Sequence, residues 1–139
     1  MSPELEYVNS AAGILNEQGK VFIGYVTAGL EPYSAQQKPD LSFVPSAGPN
    51  AGRVFFVELR LFGQNGIPKH YLEALRDHKD FAVEGAEGDY AGFAFATDAR
   101  LQPSEARNLA RNEIRFLGEV ESAADLATQI SAWAAERLP

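Results

Sequence analysis

The sequence predicts an α/β (α+β) fold, a central mixed sheet of about five strands flanked by helices, and three observations carry it. Arg53-Val-Phe-Phe-Val-Glu-Leu-Arg-Leu61 alternates with period two: Phe55, Val57, Leu59 and Leu61 form one face, and Glu58 and Arg60 share the other with Val54 and Phe56. Lys20–Thr27 is apolar on both faces, as a buried strand is, and Tyr90–Thr97 is a further strong strand. Around these segments, apolar residues recur every three or four positions, the spacing of helices that pack on a sheet.

Each element follows in order. Pro3 to about Gln18 reads as an amphipathic helix through Leu5, Val8, Ala12 and Leu15, stopped by Gly19. The strand 20–27 comes next, then a polar loop, then Pro39-Asp-Leu-Ser-Phe-Val44, a short strand with proline at its first residue, where a strand tolerates it. Residues 45–52 are dense in turn formers, so 39–61 reads as a hairpin. Folded symmetrically about Pro49, it sets Asp40 opposite Glu58; a bulge would shift the register by one. Gly63–Gly66 breaks the pattern, and Pro68 opens a helix to about Asp77 with Tyr71, Leu72 and Leu75 inward. Glu84–Asp89 reads as a solvated acidic loop. After the strand 90–97 come a helix from Pro103 to about Asn112, a strand 114–117 and a last helix. That helix starts with Ser122 and Asp125 at capping-box spacing and buries Leu126, Ile130 and Trp133.

Composition narrows the function classes. At 139 residues and 45% hydrophobic content the chain reads as one globular domain, 1–139. It holds no cysteine, which removes disulfides, thiolate metal sites and thiol nucleophiles and leaves carboxylates and two histidines for metal chemistry. No run approaches the ~20 apolar residues of a membrane span, and the N-terminus lacks a basic signal segment, so a cytoplasmic protein is expected. A net charge of −7 argues against a simple nucleic-acid binder, which needs clustered Lys and Arg.

The chemistry concentrates in the hairpin. Acid-x-base triplets occur also at Asp77, Asp98, Glu105 and Glu113, but Glu58 and Arg60 sit on one face of a strand with a second carboxylate, Asp40, across from them. Directly opposed carboxylates repel unless something positive lies between them. A hard cation such as Mg²⁺ takes one or two carboxylates together with phosphate oxygens and water. Arg60 could instead be the positive partner, making a metal unnecessary.

Pro39-Asp40, a gap, then Glu58-Leu-Arg60 at the end of an apolar strand resembles the PD-(D/E)XK nuclease superfamily, the restriction-endonuclease-like fold. The resemblance implies a core of helix, three antiparallel strands, helix and strand over residues from about 3 to 97. It also implies Mg²⁺ or Mn²⁺ on Asp40 and Glu58, hydrolysis of DNA, and Arg60 in the position of the catalytic lysine. A guanidinium stays protonated, so Arg60 can grip a phosphate but cannot act as a general base. The alternative is a degenerate, non-catalytic member serving as an interaction or structural domain. A homodimer is a corollary, since two sites are needed to cut both strands; a place within a larger protein is the other context open to the chain.

Other residues divide between functional and plain roles. Lys38 and Gln64 are candidates for substrate contact, against a neutralising neighbour of Asp40 and a helix cap. Glu6 and Glu17 could supplement the metal ligands, but they read as an exposed helix face. Asp98 reads as a loop cap, and His70 and His78, without acids at ligand spacing, read as surface residues. Trp133 and Phe93 read as core.

Overall fold

Alternation along the strands sorts side chains onto two faces, and each face is covered by its own pair of helices. The computed structural model describes residues 3–23, 40–86 and 90–138. The order is α1 (Pro3–Leu15), β1 (Gly19–Ile23), β2 (Leu41–Pro45), β3 (Val54–Arg60), a short 3₁₀ turn (Gly63–Asn65), α2 (Tyr71–Ala86), β4 (Tyr90–Thr97), α3 (Pro103–Arg111), β5 (Arg115–Leu117) and α4 (Ala123–Ala134). The five strands form one mixed sheet in the order β1-β2-β3-β4-β5. The first three are antiparallel, whereas β4 runs parallel to β3 and β5 parallel to β4. Parallel neighbours need a crossover, which α2 and α3 supply.

One core lies between the sheet and α1 with α4. There Phe55, Val57 and Leu59 meet Leu15, Leu126, Ile130 and Trp133. Trp133 stands edge-on to Phe55 at 4.7 Å between ring centres. It also explains Gly92, where an added Cβ would lie 2.6 Å from the Trp133 ring. The other face places Val54, Phe56, Phe93 and Phe95 against Leu72, Leu75 and Ala82 of α2 and Leu109 of α3. The expected core positions Trp133 and Phe93 are buried.

Several expectations need correction. Among the described residues only β2 pairs with the segment from Lys20, which there lies at the sheet edge, half-buried instead of central; Val21 and Ile23 still pack on the α1 side, which accounts for the apolar pattern. Residues 24–27 and Pro39 lie outside the described residues. The helix after Pro68 starts at Tyr71, because Pro68–Tyr71 closes a turn first, and it runs on to Ala86. Glu84 is therefore helical, not part of a loop. At the last helix the Ser122 hydroxyl accepts from the Asp125 amide as expected, but the Asp125 carboxylate accepts from the Glu121 amide, one residue earlier than a capping box requires. None of the described helices is long and apolar enough to cross a membrane.

Candidate functional site

The hairpin register fixes the site. β2 and β3 pair Leu41 with Val57, Ser42 with Phe56 and Phe43 with Phe55. Continued by one residue, this antiparallel register sets Asp40 against Glu58, with no bulge between the two strands. The bulge in β3 lies instead on its β4 side, between Val54 and Phe55, away from the acids. Past the last paired residues the Asp40 side chain takes over: its Oδ2 accepts the Leu59 amide at 2.8 Å. That bond anchors the carboxylate at the end of β3.

Glu58 is 3% exposed, although a carboxylate is costly to bury alone. It is compensated from α2, where His78 Nδ1 lies 2.9 Å from Glu58 Oε2. Asp40 stands within hydrogen-bonding reach as well. Burial pushes Glu58 up, but the bonds from His78 and Asp40, with the charges of His78 and Arg60, outweigh it and hold the carboxyl below its usual range. Asp40 carries the opposite shift. Burial, its hydrogen bond with Glu58 and the Glu58 charge push it up to about 8, against the Leu59 amide and Arg60. At neutral pH the facing pair therefore holds one proton between two carboxyls, and repulsion across the hairpin is removed. The bond to Glu58 raises His78 above the ordinary imidazole value in spite of partial burial.

Arg60 is exposed at the end of β3. It stands beside the Tyr71 hydroxyl at the start of α2, with Asp40 and Glu58 close by. Tyr71 is held by its ring, which packs on Phe62 at 5.2 Å and on Phe95 at 5.3 Å. Its hydroxyl is buried, with the Arg60 guanidinium as its hydrogen-bonding neighbour. Ser42, two residues from Asp40 on the same strand face, buries a hydroxyl with no partner among the described residues.

The sequence candidates thus separate. Asp40, Glu58 and Arg60 come together at one end of the hairpin. Lys38 and the Gln64 side chain lie outside the described residues; the Gln64 backbone is part of the 3₁₀ turn. Glu6 and Glu17 are exposed; it is Glu4 that reaches the strand end, accepting from the Leu61 amide at 3.3 Å. Asp98 caps the loop after β3 by accepting from the amides of Phe62 and Gly63. His70 is exposed ahead of α2, but His78 is no surface residue: it belongs to the cluster. A helix continued beyond Asp77 would have shown it, because Tyr71, Leu75, His78 and Ala82 recur at helical spacing with His78 as the polar member of a buried stripe.

The donor set suits a hard cation. Asp40 and Glu58 offer carboxylate oxygens only, and each keeps one oxygen free of the bonds to Leu59 and His78. Among the described residues, no group of three or more His, Cys, Asp or Glu converges as a complete metal cage.

No family model matches the sequence, and no curated protein matches it at a significant level. The fold is similar to solved structures. Can2 from Sulfobacillus thermosulfidooxidans, solved in complex with cyclic tetra-adenylate (cA4), superposes with a TM-score of 0.60 at 12% identity, over 95% of this chain and 35% of Can2. Protein VC1899 from Vibrio cholerae gives 0.57 at 14% identity, over 95% of this chain and 33% of that one. AF1548, a protein of unknown function, gives 0.55 at 7% identity, over 93% and 66%. At these identities the likeness is one of fold, and the chain spans about a third of the length of Can2 and VC1899.

Proposed function

We propose that this chain is a nuclease-type domain that hydrolyses phosphodiester bonds in DNA, with a divalent cation, Mg²⁺ or Mn²⁺, held by Asp40 and Glu58. The single observation that carries the reading is the facing carboxyl pair. Two anchored acids share a place that a proton occupies at neutral pH and a cation can take over. A cation bound there supplies Lewis-acid polarisation of a phosphoryl oxygen and a lowered water pKa. The chain's own residues do the rest. Leu59 orients Asp40 through its amide, and His78 orients Glu58 while keeping it ionised. Arg60, exposed at the mouth, grips the phosphate through its forked donors. Proton removal from water falls to a group other than Arg60, which stays protonated. DNA as substrate, a homodimer and a larger protein around this domain belong to the same proposal, as does a cytoplasmic location.

One observation favours a second reading. His78 already binds one Glu58 oxygen at 2.9 Å and Arg60 lies close by, so the acids are partly neutralised from within. That is the arrangement of a non-catalytic domain that kept the fold and serves as an interaction module.

Calorimetric titration of Mn²⁺ decides between them, with wild type, Asp40→Asn and Glu58→Gln compared near pH 7. The nuclease reading expects binding by wild type that disappears in both folded variants. It also expects proton release on binding, seen as a heat that changes with the ionisation enthalpy of the buffer. Absence of binding by wild type, both alone and with a DNA duplex present, would sink the metal site and leave the second reading.

A further inference from the structure

Charge is left unbalanced at the opposite end of the sheet, where β3, β4 and β5 begin. A cleft of about 430 Å³ opens there, with Gly92, Phe93 and Trp133 as its apolar wall and Arg53, Glu113 and Arg115 as its charged residues. Two of those charges are paired. Arg115 donates to Glu136 Oε1 at 2.8 Å and also to the second oxygen of that carboxylate, and Glu113 faces Lys79 at 4.0 Å. Arg53 differs: among the described residues it forms no ion pair, and its side-chain bonds go to two neutral oxygens, Asn50 Oδ1 and the Tyr90 carbonyl, each at 3.1 Å. The cleft therefore carries one net positive charge.

Those two bonds fix the guanidinium while using two of its five N–H donors, which leaves three on a planar fork that matches the two oxygens of a carboxylate. The group is half-buried, and a cation withdrawn from water without a counter-charge lowers stability. A neutral amide donor would tie the turn to β4 without that cost, so packing alone gives no reason for arginine. Across the cleft, Gly92 has no side chain, since a Cβ there would lie 2.6 Å from the Trp133 ring, and the edge of the indole forms the wall. An apolar wall beside a fixed, unbalanced guanidinium suits a ligand that has both parts.

We propose that this cleft is a second binding site, for a monoanion that joins a carboxylate to a compact apolar body, with Arg53 gripping the carboxylate and the Trp133 side receiving the apolar part. The inference is independent of the phosphodiester reading, because the cleft lies at the other end of β3 from Glu58 and Arg60. A single net charge favours a carboxylate over a phosphate monoester, which carries about −1.5 to −2 near pH 7.

Trp133 is the only tryptophan in the chain, so its fluorescence reads the cleft directly. Benzoate, phenyl phosphate and benzyl alcohol are titrated separately into wild type, Arg53→Gln, Glu113→Gln and Arg60→Ala, and the unfolding midpoint of each protein is measured. The expected result is a saturable change with benzoate that is weaker with phenyl phosphate and absent with benzyl alcohol. Benzoate affinity should fall about tenfold in Arg53→Gln, the effect of losing one hydrogen bond to a charged group. It should rise about twofold in Glu113→Gln, which takes a negative charge from the rim, and stay unchanged in Arg60→Ala. No saturable response of wild type to benzoate overturns the inference, as does an equal response to benzyl alcohol or tighter binding of phenyl phosphate. Unchanged affinity in folded Arg53→Gln overturns it too, and so does a response lost in Arg60→Ala. If Arg53→Gln does not fold, Glu113→Gln decides, since it leaves both Arg53 bonds in place: an affinity that fails to rise rejects the site.

Discussion

The two ends of the β2–β3 hairpin treat buried polar groups in opposite ways. At the turn end, Asn50 is 2% exposed and every side-chain polar atom is used. Its amide nitrogen donates to the carbonyls of Ala134 at 2.9 Å and Glu136 at 2.6 Å, and its oxygen accepts from Arg53, which in turn donates to the Tyr90 carbonyl. At the open end, two carboxyls face each other, one of them shifted to about 8, near the buried hydroxyl of Ser42, which has no partner among the described residues. A satisfied network ties α4 to the sheet, whereas an under-satisfied one leaves bonding capacity for something outside the chain. The contrast separates a polar cluster whose bonds are complete from the one on which the proposed site is built.

That contrast can be broken most directly at the turn. Asn50→Ala deletes both donors to the end of α4 and the residues after it, strands two carbonyls and takes one of two bonds from the Arg53 guanidinium, so a loss of about 2–4 kcal/mol is expected in urea unfolding. Mn²⁺ and phosphate binding at the far end should be untouched. A loss below about 0.5 kcal/mol would show that the turn network contributes no more than an ordinary surface site.

His78→Ala comes next, with an expected loss of about 1–2 kcal/mol near pH 6 for removing a hydrogen bond to a buried carboxylate. Both partners set its pH window. Glu58, held below its usual value, contributes stability that is present above the unfolded value of 4.5 and is lost as pH falls through the folded one. His78, raised above 6.5, contributes stability that is complete below 6.5 and is lost as pH rises through its folded value. The penalty should therefore peak between the two and shrink on either side, and a penalty independent of pH would refute the ion pair.

Asp40→Asn keeps an oxygen for the Leu59 amide, and its effect is expected with the opposite sign and only towards higher pH. Because the folded protein binds the Asp40 proton up to about 8 and the unfolded chain only to 3.8, wild-type stability falls as pH rises across that interval. The substitution should be neutral below pH 4 and increasingly stabilising towards pH 8, the direction set by a proton that the folded protein binds and the unfolded chain does not. A variant that loses stability at pH 8 would show that the Asp40 charge is welcome where it stands.

Much of the hairpin was legible without coordinates because its causes are local. Period-two alternation in residues 53–61 fixes which face Glu58 and Arg60 share, and a symmetric turn over 45–52 fixes the register that brings Asp40 to Glu58. The same local signals located Tyr90–Thr97 without error and the start of α3 at Pro103. They could not place Lys20–Ile23 at the edge of the described sheet, since strand order depends on pairing between distant segments. They also could not stop the helix after Pro68 in the right place, as Glu84 and Gly85 resemble a loop while Ala82 and the stripe before it pack on β4.

The sequence by itself determined the layers of the fold and the acid-acid-arginine constellation, because alternation, helical spacing and turn chemistry act over a few residues. Only the tertiary structure decided what surrounds that constellation. His78 reaches Glu58 from 20 positions away, Tyr71 meets Arg60 across the start of α2, and Asn50 bonds α4 over 84 positions. The balance of burial, hydrogen bonding and charge that sends Asp40 up and Glu58 down follows from which groups are packed together. No local pattern encodes it, since the free energy of a buried ionisable group depends on every element that closes around it.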